Sequence, residues 1–198
     1  MTDEDGFAWG EQFGPTQGFF GVDGNRFDIP EFKQIDAPVH PKAVALHNHW
    51  RASKPADGLP PRSAFGFEII HDLGLMGAFF VIEKTEARDD WRYRLLGSDI
   101  VWLFGNDVTN IPFREHMVAE EAEACIALSN RVAERGEPAF LFARFVSGGH
   151  FGTVETMSLP VMGPSGDDVW LVGCSLSVRT EAEEPADRAR RRQPTRCA

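Results

Sequence analysis

The stretch that decides the fold is "WRYRLLGSDIVWLFGNDVT", residues 91–109. In its first part apolar and polar residues alternate. Trp91, Tyr93 and Leu95 fall on one face and Arg92 and Arg94 on the other, which predicts a half-buried strand. Gly97 ends that run, Ser98 suits a helix N-cap, and Gly105 suits a left-handed helix stop. The stretch therefore reads as strand, tight corner and one short helix carrying Trp102 and Phe104. A phosphate cradle is excluded, because Gly97 and Gly105 lie too far apart and no glycine-led helix follows. A nucleophile elbow is excluded because Ser98 lacks the flanking pattern.

Upstream, "MGAFFVIEK" at 76–84 is rich in β-branched and aromatic residues and predicts the strand that precedes it, joined through the polar turn "EARDD". Downstream, helical spacing covers 115–135, with Val118, Ala122, Cys125, Ser129 and Val132 on one stripe and Glu120, Glu121, Glu123 and Glu134 pointing away. Gly136 and Pro138 end that helix. Three strands follow, 139–147, 151–162 and 168–178, separated by the turns "GGH" and "GPSGD". Such short links predict antiparallel pairing. Ahead of all this, "HPKAVALHNHWRASKP" at 40–55 predicts a helix with Pro41 in its first turn and a partial stripe of Val44, Leu46, His47 and Trp50. The order of strand, strand, helices and three strands gives an α+β plan, a five-stranded antiparallel sheet with the helices on one face.

The ends differ in composition. Residues 1–40 are rich in Gly, Pro and Phe without a period and read as a flexible N-terminal arm whose phenylalanines seek a surface to cover. Residues 179–198 read as a charged, solvated tail with an arginine cluster at Arg188, Arg190, Arg191, Arg192 and Arg196. The domain proper is 41–178.

The whole chain has 198 residues, 42% hydrophobic and 25% charged, which suits one domain with extensions. Sixteen phenylalanines and five tryptophans supply its core. The net charge of −10 disfavours nucleic acid and anionic membrane as partners. Three widely spaced cysteines argue against a disulfide framework and fit a cytoplasmic location. The N-terminus lacks a secretory pattern, and the longest apolar run, 73–82, is too short to span a bilayer.

The residues of 91–109, with "HNHWRA", "LPPRSAF", "RVAERGEPAF" and "ETMSLPVMGPSGDDVWLVGCSL", resemble the PAS sensory domain, in particular a bacterial subgroup of small stand-alone PAS proteins. The spacing from Arg92 to Gly105 is the most specific part of that resemblance. The segment "FGFEIIHDLGLMG" departs from it, since the subgroup often carries a short acidic helix there. The resemblance implies a strand order of 2-1-5-4-3, short helices on one face and a leading helix. It implies sensing or protein–protein signalling rather than catalysis, with a small-molecule ligand or a signalling protein as partner. It also implies a pocket between sheet and short helices and a homodimer through the 41–54 helix.

Ligand-pocket candidates are Tyr93, Arg94, Trp102 and Phe104, opposed by Phe142, Arg144, Trp170 and Cys174 on the strands. Alternation alone leaves open which parity faces the pocket. No cofactor or metal is expected. His47 and His49 fall on different helix faces, and His116 and His150 lack a haem-ligating context. The Asn-Cys-Arg motif of the flavin-binding branch is absent. No serine-hydrolase, P-loop or zinc-protease motif occurs, so no catalytic residue is assigned. Two rival readings stay open: an enzyme on a nuclear-transport-factor-like α+β cone, and an interaction module with a filled core.

Overall fold

The computed structural model describes residues 32–147 and 150–178. The Phe-rich part of the arm before residue 32, the "GG" of the expected turn and the arginine tail lie outside the described residues. In chain order the elements are β1 (Phe32–Gln34), α1 (Pro41–Ala52), a 3₁₀ turn (Arg62–Phe65), α2 (Phe67–Asp72), β2 (Phe79–Lys84), β3 (Trp91–Leu96), α3 (Ser98–Phe104), α4 (Phe113–His116), α5 (Ala119–Arg135), β4 (Ala139–Ser147), β5 (His150–Met162) and β6 (Val169–Val178).

The sheet runs β1-β4-β5-β6-β2-β3, with every pairing antiparallel. Five of its strands, read from the β3 edge, follow the expected order 2-1-5-4-3. The sixth is an addition. β1 comes from the end of the expected arm and lies along β4, with Phe32 opposite Ala143 and Gln34 opposite Leu141. No alternation there reveals it, since a short edge strand is recruited by the free edge of its neighbour.

The short helices α3 and α4 and the longer α5 share one face, called inner below. α1, the 3₁₀ turn and α2 cover the opposite, outer face, so the molecule has three layers rather than two. The outer core joins Ala43, Leu46 and Trp50 of α1 to Phe79, Val81, Met157, Leu159, Val161, Val172 and Cys174. The inner core joins Ile100, Phe113, Ala122, Ile126 and Val132 to Phe80, Ile82, Trp91 and Leu171. The split follows the period of two in β2: Phe79 and Val81 face outward, Phe80 and Ile82 inward. Gly173 makes room for this layering. A Cβ there would meet the Met157 carbonyl at 1.8 Å and the Phe80 ring at 2.5 Å.

Polar anchors fasten the outer layer. His40 caps α1, accepting from Lys42 N–H, and Pro41 occupies the first turn as expected. The Trp50 indole N–H donates to Pro160 O at 2.7 Å. Glu155 is fully buried on β5, and its two carboxylate oxygens accept from Val39 N–H (2.9 Å) and His40 N–H (2.7 Å). A buried carboxylate is tolerated when backbone donors near a helix N-terminus face it. Here it pins the entry of α1 to the middle of the sheet.

Three expectations about pattern are corrected. Val118 does not join the α5 stripe; it is partly exposed and stands at the N-cap. Glu121 does not point away; it is buried, 8% exposed. The cap of α3 is Gly97, with Ser98 already inside the helix.

Candidate ligand-binding cleft

The corner at Gly97 works by close backbone approach. A Cβ on Gly97 would lie 2.2 Å from Gly77 O, and one on Gly77 would lie 2.4 Å from Asp99 Oδ2. With both side chains absent, Gly97 N–H donates to Phe79 O and Asp99 N–H to Gly77 O, which seats the start of α3 on the chain entering β2. At the other end Gly105 takes φ +79°, a left-handed value that favours glycine, and its N–H donates to Trp102 O. The helix between is seated at its Gly97 end, closed at Gly105, and has only Ile100 fully buried.

Under that helix is a cleft of about 310 Å³. Ile100 and Leu103 form its helical wall, and Ala78, Val154 and Ser175 come from the sheet side. Asp99, Trp102 and Ser177 also border it. Trp102 is 69% exposed, so its indole is not a core filler. Behind Ser175, its hydroxyl and that of Thr156 stand 3.1 Å apart. The cleft thus combines aliphatic walls, two serine hydroxyls and one carboxylate, a set suited to a small molecule with an apolar body and hydrogen-bonding groups.

Deeper on the inner face lies an aromatic cluster around Tyr93. Its ring sits 6.0 Å from Phe80, 5.8 Å from Phe104, 5.3 Å from Phe113 and 6.5 Å from His116. Burial, with Cys125 nearby, raises the Tyr93 phenol well above its ordinary range. Burial, with Glu121 beside it, pushes the Cys125 thiol up to about 12. Glu121 is itself pushed up to about 8, by burial first and the Glu120 charge second. Its Oε2 is buried without a hydrogen-bond partner. His116 donates from Nδ1 to Pro112 O at 2.7 Å, and burial lowers its pKa. Each shift favours the neutral form, as expected of polar groups desolvated by apolar neighbours. A raised thiol pKa is the reverse of nucleophile activation.

The sequence candidates therefore divide between the two faces. Tyr93 and Phe104 lie on the inner face, and Trp102 borders the cleft. Phe142 stands opposite Glu155 and shares its outward parity; Trp170 and Cys174 belong to the outer core. Arg94 also faces outward, beside Trp170. Arg144 pairs in register with Thr153, and its side chain lies outside the described residues. The opposing wall is thus built from the other strand parity, through Val154 and Ser175. Burial of Cys174, with Glu155 near, raises its thiol to about 12. Small polar residues on a strand carry no sequence signal, which is why Ser175 and Ser177 were missed, and Ala78 sits just ahead of β2. Asp99 was visible in the sequence as a carboxylate in the first turn of α3, where it is favoured on helix-dipole grounds alone.

Among the described residues, no group of three or more His, Cys, Asp or Glu side chains is placed to hold a metal ion. Nor is any helix there long and apolar enough to cross a membrane. No curated protein matches the chain. A model of the PAS domain matches residues 39–176, a span that starts just before α1 and ends within β6. With the strand order, the helical layer and that match in agreement over most of its length, the chain belongs to the PAS domain family.

Proposed function

We propose that this protein is a non-catalytic sensory or regulatory module that binds a small molecule in the cleft beneath α3 and passes the change to a signalling partner. The observation that supports the reading is the cleft itself: α3 is tied at its Gly97 end to the chain entering β2 but leaves space between Leu103 and Ser175. A ligand there would press on a helix whose backbone is tied at its N-terminal end, and any shift of α3 would be felt at Phe104 and so at Tyr93. A ligand can move such an equilibrium only through different affinities for the two positions. The reading includes no cofactor, a cytoplasmic location and the family's sensory role.

The test is native mass spectrometry of purified protein, followed by thermal-shift screening of metabolites. A retained or stabilising ligand is expected, and Ser175→Phe, which fills the cleft, should abolish the shift. Stabilisation by about 2.7 kcal/mol is expected at a hundredfold excess over Kd. Stabilisation that survives Ser175→Phe would place the ligand elsewhere.

The family's frequent homodimer through the leading helix is part of the same reading. α1 packs Ala43, Leu46 and Trp50 on the sheet, so such a dimer would use the polar outward side with Lys42, Asn48 and Arg51. Sedimentation with Asn48→Glu and Arg51→Glu tests it.

A further inference from the structure

The outer side of the sheet carries a second depression, of about 530 Å³ and open to solvent, bordered by Arg62, Val81, Arg94, Leu95, Pro164 and Trp170. Two backbone irregularities build it. In β3 the register shifts: Leu95 stands opposite Val81 and Tyr93 opposite Ile82, leaving Arg94 without a partner residue. This is a bulge, and a bulge re-aims side chains. Arg94 and Leu95 consequently border one groove, and Leu95 remains 41% exposed. At the β5–β6 turn, a Cβ on Gly163 would come within 2.9 Å of the Trp170 ring, so only glycine lets the indole lie against the turn.

The charges around the groove are unbalanced. Arg88, Arg92 and Arg114 each meet a carboxylate. Neither Arg62 nor Arg94 has an ion-pair partner among the described residues. Arg62 donates from Nη1 to Phe65 O at 2.8 Å and lies 6.0 Å from the Phe79 ring centroid. The polar contact of Arg94 is a long one, 3.4 Å to Asn110 Oδ1. Glu83, on the same strand as Val81, is engaged by Arg92, and Asp168, before β6, by Arg88. In a chain of net charge −10, two guanidiniums without carboxylates flank a tryptophan and an exposed leucine. Arginine and tryptophan beside an apolar patch are what binding hot spots are made of.

We propose that this groove docks an acidic segment of a partner protein. Its carboxylates meet Arg62 and Arg94, and an apolar side chain between them rests on Trp170 and Leu95. The site is separate from the cleft beneath α3 and does not depend on what that cleft binds. Charge complementarity identifies the occupant, and the open side of the groove suits an extended chain better than an enclosed small molecule.

The test is fluorescence anisotropy on the full chain, with a fluorescein-labelled peptide of alternating glutamate and phenylalanine and a twin carrying glutamine for glutamate. The glutamate peptide should bind saturably and at least about tenfold tighter than its twin. Arg94→Glu should weaken binding roughly tenfold, and Arg62→Gln by more, as for a less exposed charged contact. Because Arg62 also ties the 3₁₀ turn, Arg94→Glu is the deciding variant. Lys33→Glu, on β1 at the far edge of the sheet, makes the same charge change and should leave binding unaltered. Absence of saturable binding, equal affinity for both peptides, or an equal loss with Lys33→Glu overturns the proposal. Sedimentation without peptide supplies a further outcome: a wild-type dimer dissolved by Arg94→Glu would make a second copy the occupant and overturn the assignment to a partner protein.

Discussion

The two faces of the sheet are finished differently. On the outer face, α1 is fastened by polar anchors in addition to apolar packing: Trp50 to Pro160, Glu155 to the Val39 and His40 amides, and Lys42 Nζ to Gly74 O. On the inner face, α3 is anchored through backbone at its N-terminal end, a cleft opens beneath it, and Glu121 keeps a buried oxygen without a hydrogen-bond partner. Satisfied buried polar groups specify one arrangement, and unsatisfied ones leave a structure easier to rearrange. Trp91 to Asn130 and the buried Asp90 to the Arg114 amide fasten α5 and α4 in the same way, so α1 reads as part of the fixed frame and α3 as the part that can respond.

The largest expected effect falls on the frame. Glu155→Ala leaves the Val39 and His40 amides without their acceptor and opens space among buried residues; it should lower unfolding free energy by about 3 kcal/mol, measured by urea titration. A loss under about 0.5 kcal/mol, the range of ordinary surface substitutions, would show that the polar anchors do not set the frame.

Glu121 tests the other face. Its carboxyl is raised from 4.5 to about 8 in the folded protein, so the folded state holds this proton more tightly than the unfolded chain. Its contribution is full below pH 4.5, declines as pH rises and is gone above about 8. Stability measured from pH 5 to 8 should therefore fall more steeply for wild type than for Glu121→Gln, with the variant ahead by about 1 kcal/mol at pH 8. Parallel profiles would mean that Glu121 is not desolvated, and the contrast between the faces would lose its main support.

The smallest effect belongs to neither face. Arg88 and Asp168 form an ion pair at the surface, between the β2–β3 turn and the start of β6. Arg88→Ala should shift the urea midpoint least of the three variants, and the shift should shrink further in high salt.

How much of this was legible beforehand depends on the kind of signal. The residues of 91–109 announce strand, corner and helix because glycine, alternation and the left-handed stop act locally. The candidate wall of Phe142, Trp170 and Cys174 went to the wrong face because alternation reports that residues share a side without saying which side. Leu95 shows the same limit in another way: the strand forms as predicted, but one inserted residue after Tyr93 moves Leu95 from the Tyr93 face to the Arg94 face. Glu121 was placed with the solvated glutamates because nothing in its neighbours reveals that α4 and the Tyr93 cluster close over the first turn of α5.

By itself, then, the sequence determined the α+β order, the five-strand arrangement through its family resemblance, the single-helix corner and the apolar stripe of α1. These follow from local conformational preference and periodicity, which each segment carries with it. Tertiary structure decided the recruitment of β1 to the β4 edge, the burial of Glu121 and Glu155, the cleft beneath α3 and the arginine groove at the β3 bulge. Each of these depends on which distant backbone or side chain arrives opposite a residue, and that is settled only when the layers pack.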